Sequence, residues 1–356
     1  MISDYLVNDS TGKDALTQAI LELIEKSRSN IKIANFFFQY KGVVDAMSRA
    51  LDRGVAVFVL SNIKTNKYGK ESTKEELQND TTFFNLTELS YSGAHIGLLN
   101  DLHAKFLIAD SKEAIVGSAN FKEASLKNKS ESGLRIIGED IRALEYVFET
   151  LYCNADIKSF SSSSGRHAFI TQTSVASINK AMLENSRMRF TIVASNSYRN
   201  ADHHSNLPKD KEAGVISIYQ SILKVVETAK EYIYIVNWHF KALGNLPELL
   251  DALKQANRRG VQIALVSSVS DAEDRNQKAV DKLIKIGCKH YGHKNNHAKF
   301  AVNEHSGLLF SANIDGESGL LTGFEVGCML SQSERIEAVR HFQNLVGECE
   351  QIKDRQ

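Results

Sequence analysis

Apolar residues along the chain recur with two alternating periods. Between Asp14 and about Arg28, Leu16, Ile20, Leu23 and Ile24 fall at helical spacing, with Ser10 or Thr11 as the expected N-cap. Ile31–Phe38 is a short β-branched and aromatic run, Gly42 to Arg53 is helical again, and Val55–Leu60 follows Gly54 as a strand. Strand, helix, strand in that order predicts a parallel pair with a crossover helix. A polar stretch, 61–80, leads to a helix ending near Tyr91 and a strand at Ala94–Leu98. Two more strands joined by a turn at Asp110–Glu113 carry the chain to Gly117. Strand Leu134–Ile137 and helix Asp140–Cys153 close this half.

The same order then comes again. Val215–Lys230 reads as helix, Tyr232–Trp238 as strand, Leu246–Arg259 as helix and Val261–Ser267 as strand. Helix Asp274–Ile286, strands near Cys288–Tyr291 and at Phe324–Leu330, and a helix from Glu334 complete it. The likeness reaches individual letters: IKIANFFF at Ile31–Phe38 beside IYIVNWHF at Ile233–Phe240, and ALDRGVAVFVLSN beside QANRRGVQIALVSS. This is an internal duplication. The expected fold is α/β, two pseudo-two-fold-related halves, each a mixed, largely parallel sheet flanked by helices. The halves are 1–158 and 214–356, with 159–213 as linker and insertion. In that insertion Ser161–Ser164 and Gly165 mark a joint, 168–195 reads strand, helix, strand as an edge element without a counterpart in the first half, and Ser197–Gly214 reads as a surface loop.

The duplication also repeats chemistry. In DLHAKFLIADSKEAIVGSAN, His103 and Lys105 are two apart and share one face of a strand, a pairing suited to a phosphate. Gly117 keeps no side chain in a ligand's way, and Ser118 and Asn120 offer donors. Asp110 lies an odd number of residues from both His103 and Lys105, which makes it a support. In NNHAKFAVNEHSGLLFSANIDG, His297, Lys299, Glu304, Ser311 and Asn313 echo these positions. An acid, a glycine and an apolar run follow each copy: Glu131-Ser132-Gly133-Leu134 and Glu325-Val326-Gly327-Cys328.

The pattern resembles the signature of the phospholipase D superfamily: His-x-Lys, four residues, Asp, six residues, Gly-Ser-x-Asn, usually twice per active site. The first copy matches throughout. The second has Glu304 for the aspartate, Phe310 for the glycine, and an interval from Lys299 to Ser311 one residue shorter. The resemblance implies a phosphodiesterase in which one histidine forms a covalent phosphohistidine while the other protonates the leaving alkoxide and then activates water. His103 is assigned as nucleophile and His297 as acid and base. Glu131 and Glu325 match the acids that hold a histidine's far ring nitrogen. Lys105 and Lys299 supply the cations that a divalent ion would otherwise supply, with Ser118, Asn120, Ser311 and Asn313 as donors and Asp110 and Glu304 as the accompanying acids. No metal or other cofactor is expected. Each half then holds half a site, with the motifs meeting across one seam.

Composition narrows the rest. Hydrophobic content of 42% and charged content of 24% are those of a globular protein. Lys plus Arg and Asp plus Glu both total 43, so bulk charge does not favour polyanions and any such site is a local patch. Four scattered cysteines without a CxxC make no disulfide framework. No apolar run approaches the roughly 20 residues of a membrane span, and MISDYLVNDSTGKD lacks a secretory pattern, so the expected location is cytoplasmic. The basic stretch with Lys64, Lys67 and Lys70, and Lys294 near the second motif, are the expected substrate-binding lysines. Nucleic acid, with DNA preferred, is the expected substrate and partner; lipid phosphodiesters and a binding subunit with a decayed site are the alternatives. Nothing in the sequence selects between a homodimer and an ATPase partner. Cys288, His290, His293 and His297 have zinc-like spacing, but His297 belongs to a motif whose twin at His103 has no such cluster. No GxxxxGK, HExxH or GxSxG occurs.

Overall fold

The computed structural model describes residues 5–9, 11–62, 80–99, 102–138, 141–153, 155, 157–161, 167–171, 192–195, 217–269, 274–317, 319–321 and 324–351. Two mixed sheets carry the chain. The first runs β1 (Tyr5–Asn8), β7 (Glu131–Ile137), β6 (Glu113–Gly117), β5 (Phe106–Ala109), β2 (Asn30–Ala34), β3 (Ala56–Asn62), β4 (His95–Leu99), β8 (Ile157–Ser161), β9 (His167–Thr171). The second runs β10 (Ile192–Ser195), β18 (Glu325–Met329), β16 (Gly307–Phe310), β15 (Phe300–Asn303), β11 (Tyr232–Val236), β13 (Gln262–Ser268), β14 (Lys289–His293), β19 (Glu350–Gln351). A two-stranded ribbon joins β12 (Phe240–Lys241) to β17 (Ile314–Asp315). In each large sheet the parallel part is three strands, β2-β3-β4 and β11-β13-β14, as the crossover helices require; the motif strands add antiparallel to them.

Alternation along the strands decides the layers. Leu107, Ala109 and Ile115 point to one face with helices α1 (Ala15–Lys26), α2 (Lys41–Asp52), α3 (Thr81–Tyr91) and α4 (Glu123–Asn128). Phe106, Ile108, Ala114 and Val116 point to the other, into a core shared with Phe300, Val302, Leu309 and Val326 of the second sheet. Helices α5 (Ile141–Cys153) and α9 (Gln332–Glu348) supply Leu144, Phe148, Phe342 and Leu345 to this shared core. The outer face of the second sheet is covered by α6 (Ser217–Thr228), α7 (Pro247–Arg258) and α8 (Asp274–Ile286). The central core belongs to neither half alone.

Three local expectations need correction. Segment 159–213 does more than link and insert. β8 and β9 extend the first sheet from β4, and β10 pairs antiparallel with β18 as β1 pairs with β7, so β1 is a first-half counterpart to the insertion's last strand. Ser10 lies outside the described residues, and Thr11 is held in a turn by Asp9 while Asn8 Oδ1 takes the first α1 amides, Leu16 N and Thr17 N at 3.0 and 3.2 Å. A strand expected to reach Phe38 leaves the sheet after Ala34, which brings Phe36 to the His103 ring and sends Phe38 into the outer core of the first half.

Phe106 is 3% exposed and meets Phe148 edge-on at 6.1 Å in the shared core. Phe106→Ala is expected to cost about 3–5 kcal/mol in a urea denaturation series; a loss below about 1 kcal/mol would mean that Phe106 is not tightly packed in this core.

Candidate active site

The two His-x-Lys pairs meet where the motif strands approach the seam. Before β5, the His103 and Ala104 amides donate to Phe324 O, at 2.9 and 2.6 Å. In the other half the His297 amide donates to Ser130 O at 2.8 Å. Each carbonyl belongs to the residue that precedes a buried glutamate. The glutamates are therefore exchanged: His103 Nδ1 lies 2.7 Å from Glu325 Oε1, and His297 Nδ1 lies 2.8 Å from Glu131 Oε1. The other carboxylate oxygen of each acid accepts from the serine of its own half, Ser118 Oγ to Glu131 and Ser311 Oγ to Glu325, both at 2.5 Å. Each serine oxygen in turn accepts a backbone amide, Ser132 N or Val326 N, at 3.0 Å.

Lys105 and Lys299 are 2% and 0% exposed and point inward. Each donates to the carbonyl of its own motif histidine, Lys105 to His103 O at 2.5 Å and Lys299 to His297 O at 2.9 Å. Burial, with the glutamates opposing it, brings Lys105 down to about 8 and Lys299 to about 7. Burial likewise lowers both histidines, His297 to about 3, against the pull of their glutamates. Burial raises Glu131 and Glu325, but the facing histidines, lysines and serines more than offset it and hold both ionised. Nδ1 of each ring faces a carboxylate, so Nε2 is left for chemistry. The rings differ in access: His103 keeps 24% of its side-chain surface and His297 6%.

Asp110 and Glu304 are not at this site. Asp110 lies at the far end of β5, beyond its last residue, with its oxygens on the backbone amides of Arg28, Ser29 and Asn30, at 3.0, 2.7 and 3.0 Å. Glu304 does the same for Lys230 and Tyr232, at 2.7 and 3.4 Å. Both acids tie a helix exit to the motif hairpin. The reading of Asp110 as a support holds, and their inclusion among catalytic acids does not, because strand length separates them from the histidines. Asn120 and Asn313 stand beyond the serines, and their Oδ1 atoms are buried with no hydrogen-bond partner among the described residues.

Two asparagines went unnoticed in the sequence. Asn35 holds Ala119 O and the Phe121 amide at 3.0 and 3.1 Å, and Asn237 holds Ala312 O and the Ile314 amide at 3.5 and 3.2 Å. Each clamps the Ser-x-Asn loop of its half. The signal was present: both follow the last strand residue in IKIAN and IYIVN. Phe36 meets the His103 ring edge-on at 5.6 Å, and Trp238 lies 5.3 Å from His297. Lys122 sits 4.3 Å over Phe37, and Lys129 5.4 Å over Trp238. Their charges are felt at Lys105, His297 and Lys299, which makes them the rim cations. Lys294 is exposed beside β14, and Lys64, Lys67 and Lys70 lie outside the described residues. Of the zinc-like cluster, Cys288 is in the second-half core, His290 bonds Ser267 Oγ at 2.8 Å and His293 Glu348 at 3.2 Å.

A family model described as "Cardiolipin synthase, PLD-like domain" matches residues 20–152 and 222–346. The chain belongs to the phospholipase D superfamily. Members of this superfamily act on phosphodiesters. Among solved structures, phosphatidylserine synthase from Haemophilus influenzae superposes with a TM-score of 0.65 at 12% identity, over 99% of this chain and 88% of that one. Polyphosphate kinase from Porphyromonas gingivalis gives 0.56 at 15% identity, over 95% of this chain and 49% of that one, so the chain spans about half the kinase's length. Nuc, a phospholipase D family member from Salmonella typhimurium, gives 0.36 at 16% identity over 42% of this chain and 96% of Nuc. A search of curated proteins finds no match. Among the described residues of this phospholipase D-like chain, no helix is long and apolar enough to cross a membrane.

Asp110→Asn is expected to leave turnover within about twofold of wild type and to cost about 1–3 kcal/mol, since it weakens charge-assisted bonds to three amides. The folded Asp110 carboxyl is held low: burial opposes this, and the three amides and Lys112 outweigh it. Its contribution is thus present above the unfolded carboxyl range and lost as pH falls through the folded value. Denaturation midpoints of wild type and variant should converge as pH falls below about 4; a constant gap would refute the assignment.

Proposed function

We propose that this chain is a metal-independent phosphodiesterase that cleaves DNA, as an endonuclease, through a covalent phosphohistidine. The observation that carries the reading is the pair of buried lysines beside two histidines, each oriented by a carboxylate from the opposite half. A phosphodiester anion between the rings is met by the Lys105 and Lys299 ammoniums, which neutralise the charge that builds up on the non-bridging oxygens. It also favours the protonated form of His297, which burial disfavours in the empty site. His103, the more open ring, attacks through Nε2: the N–P bond forms, the P–O bond to the leaving group breaks, and His297 Nε2–H protonates that oxygen. Water then attacks phosphorus, His297 takes its proton, and the N–P bond breaks.

Support for nucleic acid comes from the rim. Phe36, Phe37 and Trp238 are half-buried aromatics beside the histidines, and Lys122 and Lys129 lie over two of their rings. Such surfaces stack bases and pair phosphates. A second reading, phosphatidyl transfer or phospholipid hydrolysis, is favoured by the family description and by the superposition on a phosphatidylserine synthase. A decayed, binding-only site fits less well, because both histidines keep a carboxylate and both lysines remain inside. With zero net charge on the chain, DNA would be met by these local rim contacts and not by bulk charge.

Plasmid cleavage is expected to persist in EDTA and to fall by about 10³-fold or more in His103→Ala and His297→Ala. Loss of cleavage in EDTA would overturn the lysine mechanism, and turnover of labelled phosphatidylglycerol without DNA cleavage would select the lipid reading. The lysines add a pH dependence of known sign. Lys105 and Lys299 lose their charge as pH rises through about 8 and about 7, so affinity for an anionic substrate should fall. kcat/KM on an oligonucleotide is expected to drop about tenfold from about pH 7 to about pH 9; a flat profile would exclude the lysines as substrate cations.

A further inference from the structure

The duplication is broken at three positions that touch one another. The helices that close the halves read Val147-Phe148-Glu149-Thr150-Leu151 in α5 and His341-Phe342-Gln343-Asn344-Leu345 in α9, with Phe148, Leu151, Phe342 and Leu345 all in the shared core. His341 therefore stands where the first half has Val147. β1 opens with Tyr5 opposite Leu134, and β10 opens with Ile192 opposite Cys328. Ser130 precedes Glu131, whereas Phe324 precedes Glu325. One side of the seam thus brings together Tyr5, Ser130 and His341. The positions related to them hold isoleucine, phenylalanine and valine, which have no polar side chain.

The three polar groups form one chain. Tyr5 Oη lies 3.2 Å from His341 Nδ1, and His341 Nε2 lies 3.1 Å from Ser130 Oγ. Tyr5, Ser130 and His341 are 6%, 1% and 5% exposed. Burial brings His341 down to about 3, so the ring is neutral at ordinary pH, with one donor and one acceptor nitrogen. The chain is satisfied when the Tyr5 hydroxyl donates to Nδ1 and Nε2–H donates to Ser130. Burying such a string costs more than packing apolar groups in its place. What the string reaches is the site. Ser130 O accepts the His297 amide, Ser130 N donates to Asn295 O at 2.8 Å, and the next residue is Glu131, whose carboxylate faces His297. The residue related to Ser130 is Phe324, whose carbonyl accepts the His103 amide and whose side chain has no polar group.

We propose that the Tyr5–His341–Ser130 chain is a positioning device that fixes the Glu131–His297 couple and so sets His297, and not His103, as the histidine that handles the proton. It makes two halves that are alike in their motifs unequal in their roles. The inference rests on the two-histidine reading of the site, and one of its tests does not need turnover. With the full chain and bis(4-nitrophenyl) phosphate, Ser130→Ala and His341→Leu are expected to lower kcat about 10- to 100-fold while KM changes by about twofold or less. His341→Gln, which keeps a donor facing Ser130, should recover most of the loss. Nitrogen-15 NMR of the imidazoles should find His297 in one tautomer, with Nδ1–H toward Glu131, and a tautomer mixture in Ser130→Ala and His341→Leu, with His103 unchanged. Wild-type kcat with unaltered His297 signals would overturn the proposal, as would equal changes at His103 and His297, or a kcat loss that Gln does not relieve. Ser130→Ala removes a single oxygen and decides the matter where His341→Leu does not fold. A wild-type chain that hydrolyses no phosphodiester counts against the proposed function alone, because the tautomer measurement still reads the positioning.

Discussion

Two carboxylates that cross a seam hold this molecule's site together. Glu131 and Glu325 each spend one oxygen on a serine of their own half and the other on a histidine of the opposite half. Both are fully buried, where an unpaired carboxylate would be costly, so their partners have to be in place for the seam to close. The constraint runs both ways. A carboxylate that is satisfied only by both halves ties the site's geometry to the packing of the shared core, and neither half can hold its histidine's tautomer alone.

The departures of the second motif are absorbed without disturbing this arrangement. The missing residue between Lys299 and Ser311 is lost from the hairpin turn. The first hairpin pairs Ala109 with Glu113, whereas the Asn303 amide bonds Ser306 O at 2.8 Å, and strand pairing near the site is the same in both halves. Asn303 Oδ1 takes the His305 and Ser306 amides and pins the tighter turn. Phe310 keeps the backbone bond of Gly117, its amide on Lys299 O at 3.2 Å against 3.0 Å from Gly117 to Lys105 O. In the first half a Cβ at Gly117 would come 3.0 Å from Ser132 O and meet Leu16, whereas Phe310 enters the second-half core. Glu304, one methylene longer than Asp110, reaches the equivalent helix exit.

Electrostatics explains why so neutral a chain suits an anionic substrate. Net charge is zero, yet two buried ammoniums and the rim cations Lys122 and Lys129 converge where two glutamates already answer the histidines. Buried lysines are costly unless something negative shares the space, and a phosphodiester is the group whose arrival relieves them. The first half pairs Phe37 with Lys122; at the matching positions the second half pairs His239 with Asp315, Nε2 to Oδ2 at 3.8 Å. The two walls of the site therefore differ in charge although the motifs between them match.

By itself the sequence determined the α/β class, the duplication, and which histidines, lysines, serines and glutamates the fold gathers at the seam. These are carried by local period and by repetition, which survive in one dimension. It also counted Asp110 and Glu304 among the site's acids, although the odd spacing of Asp110 from His103 and Lys105 already turns it away from them. A strand carries its two ends apart, and only the folded hairpin reveals that these acids serve backbone amides at the far end. The kinship of β10 with β1 was hidden because an edge strand of four residues leaves no periodic signal, and its identity is its pairing with β18. The exchange of glutamates, the clamps at Asn35 and Asn237 and the chain from Tyr5 to Ser130 were decided by tertiary structure alone. Each joins residues far apart in sequence, and which partner a buried polar group finds depends on how the two sheets meet at the seam.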